Sequence, residues 1–344
     1  MKTTINIIIV SALMAVATSA TAKSWRINNN AAAAPDFASI NEAMNNTNVT
    51  AGDTLYLDPG IVINGNQTVS KQVTIVGPGY NRSDSPNAFA YLQNDLYITA
   101  AYTKVEGIVM LNNDIHIRAE HVTIERCKFI GIEIADDRYS AQHSAIRQCY
   151  GERVYGETYY GAIVNESFHC TIENCILLRE GNCIESLLSP IIKHNYIRSS
   201  RYSNITPFYN LEYPTIVDNI VINTYNGSNI FNQITNIVSV SHNVFSGDEN
   251  ANYPDNRYGS NTEANVFTLT GLNDQRYQLK KGSPAIGYAS EENGGGDCGP
   301  YGGLTPYVPG GLPNGYPYYT KAIIPAKSKN GKVNVSLKIK MQNE

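Results

Sequence analysis

The sequence has no feature that would direct it to nucleic acid or to redox chemistry. Lysine and arginine number 26 against 30 aspartates and glutamates, a formal net charge of -4, so the basic excess required for binding nucleic acid or an anionic membrane is missing. The six cysteines include no C-x-x-C pair, which argues against structural zinc and dithiol chemistry. We expect no cofactor, and calcium has no support in any motif.

The middle of the chain also lacks a 3.6-residue apolar periodicity and a leucine-rich consensus. What it has is a recurring phrase, an apolar β-branched residue followed three positions later by cysteine or asparagine. The successive intervals are 22, 26, 20, 24 and 24 residues, and self-similarity at this period predicts a solenoid. The phrases end at Cys127, Cys149, Cys175, Asn195, Asn219 and Asn243.

Each repeat is followed by a second β-like run, which predicts that each repeat is one coil of β-strands and that the coils stack in parallel. Equivalent residues of successive coils then form rows about 4.8 Å apart. The phrase predicts that its first residue points inward, that the next points outward, and that the cysteine or asparagine lies at a bend. Asparagine suits a bend because it tolerates left-handed backbone angles and can hydrogen-bond along a row. The expected inward row is Ile124, Ile146, Ile172, Ile192, Ile216 and Val240.

The N-terminus has the pattern of a secretory signal. Lys2 precedes an apolar stretch over residues 5–16, and Ala20 and Ala22 form an A-x-A cleavage site. The stretch is too short for a membrane span. We therefore expect an exported protein, located in the periplasm, at the cell surface or outside the cell, with no transmembrane segment in the mature chain.

Six cysteines after a signal peptide raise the question of disulfides. The row argument opposes them for Cys127, Cys149 and Cys175, which are explained as small buried apolar residues. The state of the remaining three stays open at this point. They are Cys170, Cys183 and Cys298.

The predicted organisation has four parts. Residues 1–22 are the signal peptide, and residues 23–247 form the β-helix with an N-terminal cap, a short helix over residues 36–44 with Asp36 as N-cap. Residues 248–315 are closing loops with a Gly/Pro tract. Residues 316–344 form a C-terminal β segment, a hairpin with Asn330 and Gly331 in its turn.

Several segments resemble right-handed parallel β-helix proteins of the pectate-lyase-like superfamily, namely residues 52–60 (GDTLYLDPG), residues 73–79 (VTIVGPG) and the Ile-x-x-Asn coils. Two stretches after the repeats, residues 277–287 (YQLKKGSPAIG) and 296–303 (GDCGPYGG), resemble the end of the β-helix in secreted proteins common in Bacteroidetes-type bacteria. This resemblance implies the fold. It implies no single activity, because the superfamily includes lyases, glycoside hydrolases, tailspikes and proteins without known catalysis.

A first group of candidate site residues is the outward row Glu125, Arg147, Glu173, Lys193, Val217 and Ser241. Charges of opposite sign on successive coils predict a ladder of ion pairs of small energetic consequence. The functional alternative is that Arg147 and Lys193 contact the carboxylates of an acidic polysaccharide.

A second group is the adjoining row Arg126, Gln148, Asn174, His194, Asp218 and His242. His194 oriented by Asp218 could act as a general base, and two histidines with an aspartate could in principle hold a metal. The alternative is a set of polar residues at a bend.

A third group of arginines and tyrosines follows the core strands, and stacking predicts that it lies on one side. A uronate lyase needs a cation for the substrate carboxylate, here Arg179 or Arg198, and a base, here Tyr202 or His194. A hydrolase needs two carboxylates, and no convincing pair stands out among Asp136, Asp137, Glu180 and Glu185. The predicted substrate-binding members are Arg153, Tyr155, Tyr159, Tyr160 and Arg201.

Two hypotheses of different class follow. In the first, the protein binds or processes a polysaccharide or surface glycan along its solenoid face, and an enzyme of this kind would be a polysaccharide lyase or a glycoside hydrolase. In the second, it is a non-catalytic surface or adhesion scaffold that binds a protein or glycan partner. The tight acidic run of calcium-dependent pectate lyases and the paired aspartates of polygalacturonases are absent from the sequence, so the sequence leaves enzyme status open.

Overall fold

The computed structural model describes most of the chain and shows the predicted all-β architecture, a right-handed parallel β-helix. Its strands form three sheets that wrap around one apolar core. The described residues are 22–80, 89–135, 139–159, 162–163, 167–200, 205–225, 229–271, 273–312, 317–323, 332 and 335–341. The predicted signal peptide lies almost wholly outside them.

Sheet A is the longest wall, with ten strands that pair parallel in chain order. It runs along the whole solenoid and contains the first two residues of every repeated phrase. Its strands are β1 (Ser24–Ile27), β2 (Thr54–Leu57), β5 (Thr74–Val76), β8 (Lys104–Glu106), β11 (Thr123–Glu125), β13 (Ala145–Arg147), β18 (Thr171–Glu173), β21 (Ile191–Lys193), β24 (Thr215–Val217) and β27 (Ser239–Ser241).

Sheet B follows the bend after sheet A in each coil and comes in two pieces, which single-residue bridges from Lys128 to Val109 and Tyr150 connect. The first piece is β3 (Val62–Ile63), β6 (Tyr91–Leu92) and β9 (Val109–Met110). The second piece is β14 (Tyr150–Gly151), β19 (Ile176–Arg179), β22 (Tyr196–Ser199), β25 (Ile220–Asn223) and β28 (Val244–Phe245).

Sheet C completes each coil with eight parallel strands. They are β4 (Gln67–Val69), β7 (Leu96–Ile98), β10 (Ile115–Ile117), β12 (Gly131–Ile134), β15 (Arg153–Gly156), β20 (Ile184–Leu188), β23 (Phe208–Glu212) and β26 (Phe231–Thr235). Two antiparallel pairs lie apart from the three sheets: β16 (Thr158–Tyr159) with β17 (Ala162–Ile163), and β29 (Pro317–Ile323) with β30 (Ser336–Met341).

The strand register confirms the predicted inward row. Ile124 pairs with Ile146, and the row continues one coil at a time to Val240. Each of these side chains is buried, as burial of the apolar face of a solenoid requires. A second row returns to the core two residues after the bend, and at Gly151 the ring of Phe129 fills the space that a side chain would need.

The cysteines and asparagines of the phrase also form one row, and they are fully buried. The Asn195 side chain accepts a hydrogen bond from the Cys175 amide at 2.8 Å, and Asn219 accepts one from the Asn195 amide at 2.9 Å. The ladder extends one step further than predicted, because Asn256 accepts from the Asn243 amide at 2.9 Å. Stacked asparagines thus satisfy backbone groups that would otherwise be buried without partners.

One detail of the bend was predicted wrongly. The left-handed backbone angle belongs to the residue before the cysteine or asparagine, with φ of 51° at His194 and 60° at Asp218. The chain turns one position early because the asparagine side chain must point inward to reach the neighbouring coil. All six cysteines are free and buried, so Cys170, Cys183 and Cys298 form no disulfide, and burial raises the pKa of the Cys170 thiol to about 12.

The predicted N-terminal cap is present as helix α1 (Ile40–Asn45), whose buried Ile40, Ala43 and Met44 cover the first coil. Its N-cap is Ser39, which accepts a hydrogen bond from the Glu42 amide at 3.1 Å. Asp36 was the wrong choice of cap, because its carboxylate accepts from the Arg26 amide instead.

The C-terminal part is irregular, as expected, until the β29–β30 pair. It contains helix α2 (Glu263–Val266) and three 3₁₀ helices, Asn273–Tyr277, Glu291–Asn293 and Pro309–Gly311. The predicted hairpin turn at Asn330 and Gly331 lies outside the described residues. Within the described part of the chain, no helix is long and apolar enough to cross a membrane.

Candidate functional site

The outward row of sheet A forms the predicted ladder of ion pairs. Arg147 Nε lies 2.7 Å from Glu173 Oε1, and Lys193 Nζ lies 3.1 Å from the other oxygen of the same carboxylate. On earlier coils of the same sheet, Lys104 Nζ lies 2.7 Å from Glu125 Oε2. Arg147 and Lys193, predicted to bind substrate, are therefore both engaged with Glu173 in this structure.

The second predicted group lies beneath residues 290–312, which we call the closing segment. Asp218 is fully buried, and its carboxylate accepts hydrogen bonds from the Ser290 amide at 2.7 Å, the Ser290 hydroxyl at 2.8 Å and the Asn293 side chain at 2.6 Å. Further along the row, Asn174 donates to the Gly302 carbonyl at 2.8 Å. The row thus holds the closing segment on the solenoid.

His194 is equally enclosed, with 2% of its surface exposed. Its Nε2 lies 3.6 Å from Asp218 Oδ2, and a side chain at Gly303 would come within 2.8 Å of the ring. Burial lowers the pKa of His194, and the nearby Asp218 carboxylate only partly opposes this. A polysaccharide has no access to either side chain here, so their predicted catalytic roles stay predictions without geometric support.

The third group was predicted to lie on one side of the solenoid. Its described members instead belong to different sheets. Arg153 and Tyr155 lie on sheet C, and Arg179 lies at the sheet B to sheet C corner, where its Nη1 is 3.4 Å from Glu185. Arg198 points from the outer face of sheet B. The Tyr159 backbone is in β16, and nothing is described of its side chain. The other members, Tyr160, Arg201 and Tyr202, and also Asp136 and Asp137, lie outside the described residues.

Sheet C presents a polar cluster that the sequence did not reveal. Strand register places Tyr97, His116, Glu133 and Tyr155 in one outward row on successive coils. His116 Nδ1 lies 2.5 Å from Glu133, and its Nε2 lies 3.4 Å from Asp95. Burial lowers the pKa of His116, but the hydrogen bond and charge of Glu133, together with Asp95, raise it more, and the net shift is upward.

Asp114 organises the rest of this cluster. Its Oδ2 accepts from Arg153 at 3.0 Å and from the Tyr155 hydroxyl at 2.9 Å, and Gly131 leaves room for it, since a side chain there would lie 2.6 Å from the carboxylate. Both basic residues of this cluster, His116 and Arg153, have a carboxylate partner. The sheet C cluster is defined as Asp95, Asp114, His116, Glu133, Arg153 and Tyr155.

The outer face of sheet B differs because the C-terminal part covers only half of it. Tyr196 and Ile220 pack with Phe267, Tyr277 and other residues into a second apolar core. A cavity of about 740 Å³ lies beside Tyr277, at the edge of this cover. We call it the sheet B cleft. Its charged and aromatic lining residues, among those described, are Tyr91, Lys128, Phe129, Tyr150, Glu152, Arg198, Arg276 and Tyr277.

The cleft contains three cations and a single carboxylate, Glu152, among its lining residues. Arg198 Nη1 pairs with Glu263 at 3.2 Å, outside the cleft lining. Lys128 and Arg276 are exposed, and no carboxylate of the described residues lies within ion-pair distance of either. They are the cations of this face that can accept an external anion.

Tyrosines flank these cations. Lys128 Nζ lies 5.8 Å from the centre of the Tyr150 ring, and the Arg276 guanidinium lies 5.9 Å from that of Tyr277. Burial raises the pKa of Tyr150, and it raises that of Tyr277 to about 12. Both phenols are therefore hydrogen-bond donors at neutral pH, and neither is ready to remove a proton.

A buried network fixes the 3₁₀ helix that brings Arg276 and Tyr277 to the cleft. Asp274 is fully buried and accepts from the Tyr307 hydroxyl at 2.8 Å and the Gly310 amide at 2.6 Å. Tyr307 in turn hydrogen-bonds Tyr80 of the solenoid. The cleft wall is thus tied to the β-helix through one carboxylate.

Sequence reasoning missed Lys128 and Arg276 for different reasons. Lys128 directly follows the bend residue Cys127, and the residues in that position form the outward row of sheet B. Alternation alone could have found it. Arg276 comes from a segment without any repeat, so no sequence signal places it beside Lys128.

Comparisons with known proteins do not assign this chain to a family. No protein-family model matches the sequence, and no curated protein matches it. Among solved structures, the chain is similar to the alginate lyase AlyGC of the PL6 family, with 12% identity, a TM-score of 0.36, and coverage of 67% of this chain and 40% of that one. It is also similar to the pectate lyase Pel9A, with 14% identity, a TM-score of 0.36, and coverage of 79% and 92%.

The chain thus spans less than half the length of the first of these two lyases. At such low scores neither likeness bears on activity. The fold assignment rests on the strand order and register of the molecule itself.

Proposed function

We propose that the protein binds an acidic polysaccharide in the sheet B cleft. The observation that supports this best is a pair of cations, Lys128 and Arg276, that have no carboxylate partner among the described residues and that line a cavity of about 740 Å³. Uronate carboxylates bind lysine and arginine through charge-assisted hydrogen bonds. Tyr91, Tyr150 and Tyr277 supply rings and hydroxyls beside the cations, and sugar rings offer apolar faces and hydroxyl groups to both.

The proposed activity is binding rather than cleavage. β-Elimination of a uronate needs a group that removes the α-proton at working pH. The upward pKa shifts of Tyr150 and Tyr277 oppose this role. Arg198 lies in the cleft, whereas Arg179 and His194, named for lyase chemistry from the sequence, do not. Lyase or hydrolase activity stays a prediction.

The proposed partner and location agree with each other. The N-terminal sequence pattern predicts export, and acidic polysaccharides are found outside cells and on their surfaces. We infer that the protein meets its ligand after export. The alternative, a scaffold that binds a protein partner, stays a prediction, since exposed tyrosines and cations also occur in protein interfaces.

Isothermal titration with a polyuronate and with a neutral polysaccharide of similar length tests the proposal. The decisive variant is Lys128→Ala/Arg276→Ala. Its matched control is Arg147→Ala/Lys193→Ala, which removes the same charge from the sheet A ladder. We expect the first variant to bind the polyuronate about tenfold more weakly, because two exposed charge contacts contribute about 1.4 kcal/mol together.

The control is expected to bind like the natural protein, and the neutral polysaccharide to bind far more weakly than the polyuronate. Equal losses in both variants would mean a diffuse electrostatic attraction without a site. Absence of binding to every glycan tested would favour the scaffold.

A further inference from the structure

A second cavity continues the sheet B cleft along the solenoid. It measures about 520 Å³ and lies over the later coils of sheet B, against helix α2. Arg198 lines the first cavity and Glu263 lines the second. Since their side chains pair at 3.2 Å, the two cavities meet at this ion pair.

The chemistry of the second cavity differs from that of the cleft. Ile222, Ala264 and Leu269 give it an apolar floor, and Thr224, Ser260 and Thr262 bring hydroxyl groups to the same cavity. Helix α2 leaves the Thr262 hydroxyl unused as a cap, because this N-cap residue makes no side-chain capping bond. An apolar floor beside hydroxyl groups matches a sugar ring, which has an apolar face and a polar edge.

The single charged residue lining this cavity is Glu263. Its carboxylate accepts from the Tyr196 hydroxyl at 2.6 Å and pairs with Arg198. Arg198 and Glu263 thereby neutralise each other, and Arg198 is not free to attract a second anion. No lysine, arginine or histidine is among the described residues that line the cavity, so this lining offers no free cation to a uronate.

We propose that the second cavity binds an uncharged sugar unit that neighbours an acidic unit in the sheet B cleft. This inference rests on the proposed function, and it narrows the ligand to a polysaccharide in which uronate and neutral sugars are adjacent. The Arg198–Glu263 pair joins the linings of the two subsites, and the described lining of the second subsite has no free cation for a uronate.

The test compares two families of oligosaccharides, all-uronate oligomers and oligomers that alternate uronate with neutral hexose. Ala264→Phe fills the second cavity, and Ala251→Phe, at an exposed position that does not line it, is the matched control. We expect Ala264→Phe to bind the alternating oligomers about tenfold more weakly, as loss of one well-packed sugar contact would give. Ala251→Phe should bind them like the natural protein.

A second variant examines selectivity independently of cavity filling. Glu263→Gln keeps the side-chain shape and removes the charge that pairs with Arg198. We expect it to bind all-uronate oligomers severalfold more tightly, since Arg198 is then free to pair with a second uronate. Unfolding midpoints of each variant show that it is folded.

The outcomes separate the two proposals. If the natural protein binds no acidic oligomer, the proposed function fails. If it binds acidic oligomers, but Ala264→Phe binds the alternating ones like the control, or Glu263→Gln does not gain affinity for all-uronate oligomers, the second subsite is overturned and the cleft stands.

Discussion

The sheet B cleft and the sheet C cluster lie on the same solenoid, yet they use charge in opposite ways. In the sheet C cluster, Arg153 contacts Asp114 and His116 contacts Glu133 and Asp95. In the cleft, Lys128 and Arg276 have no carboxylate partner among the described residues. Charges that satisfy one another stabilise a surface, whereas charges left unsatisfied are available to a ligand.

The cause of the difference is the way each face is finished. Sheet C places acidic and basic residues one or two coils apart, at about 4.8 Å per coil, so its charges pair with one another. Sheet B is half covered by the irregular C-terminal part, and the edge of that cover adds Arg276 and Tyr277 to a solenoid face that already has Lys128 and Tyr150. The cleft is thus a product of two parts of the chain.

The strongest expected effect comes from removing the link between those parts. Asp274→Ala leaves the buried Gly310 amide without this acceptor and leaves the Tyr307 hydroxyl with Tyr80 alone, at a cost of about 3 kcal/mol. Because Asp274 also fixes the helix with Arg276, polyuronate affinity should fall as well, by about tenfold. Urea unfolding measures the loss of stability, and titration measures the loss of affinity. A loss of stability with unchanged polyuronate affinity would contradict the role of Asp274 in positioning Arg276.

The counterpart on sheet C is Asp114→Ala. It removes the acceptor of Arg153 and Tyr155, which are only partly buried, so we expect a loss of about 2 kcal/mol of unfolding free energy. Polyuronate affinity should stay unchanged. Asp114→Asn, which keeps an acceptor oxygen, is expected to lose less stability. A drop in glycan affinity with Asp114→Ala would place the site on sheet C after all.

The pKa shifts of His194 and His116 predict opposite responses of stability to pH. The pKa of His194 is lowered in the folded protein, so the unfolded state binds more protons and stability falls as the pH drops below the ordinary value of about 6.5. The pKa of His116 is raised, so its contribution is complete below 6.5 and is lost as the pH rises through the higher folded value.

Unfolding free energies across this pH range check both signs. His194→Gln should flatten the acidic side of the profile, and His116→Gln should flatten the other side. The same slope change in both variants, or none in either, would contradict the assigned environments.

The smallest expected effect is the response to salt. Raising sodium chloride from about 0.05 M to about 0.5 M shortens the screening length severalfold, so binding to the exposed cations of the cleft should weaken severalfold. The stability contributed by the partly buried sheet C cluster should change little. Titration and urea unfolding at both sodium chloride concentrations measure the affinity and the stability. An affinity that does not depend on salt would argue against recognition of an anion.

The repeat made the core of this fold predictable. The phrase around Ile124 and Cys127 was enough to give the inward row, the outward row and the buried ladder, because a solenoid converts sequence period into spatial neighbours. Local choices were less certain: Ser39 caps helix α1 in place of Asp36, and Asn256 joins the ladder from a region with no repeat.

The candidate site was predictable only in part. Arg198 was named from the sequence and lies in the cleft, but its predicted companions are distributed over other faces. Lys128 follows from alternation, whereas Arg276 depends on how the C-terminal part folds back. His194 and Asp218 appeared exposed in the sequence pattern, and the closing segment that buries them has no period from which its path could be derived.

The most direct test of the account is a crystal structure of the protein with a bound oligouronate. We predict that the oligomer lies in the sheet B cleft, with a carboxylate at hydrogen-bond distance from Lys128 or Arg276 and a sugar ring against Tyr150. An oligomer on the sheet A ladder or the sheet C cluster, with the cleft empty, would contradict the account.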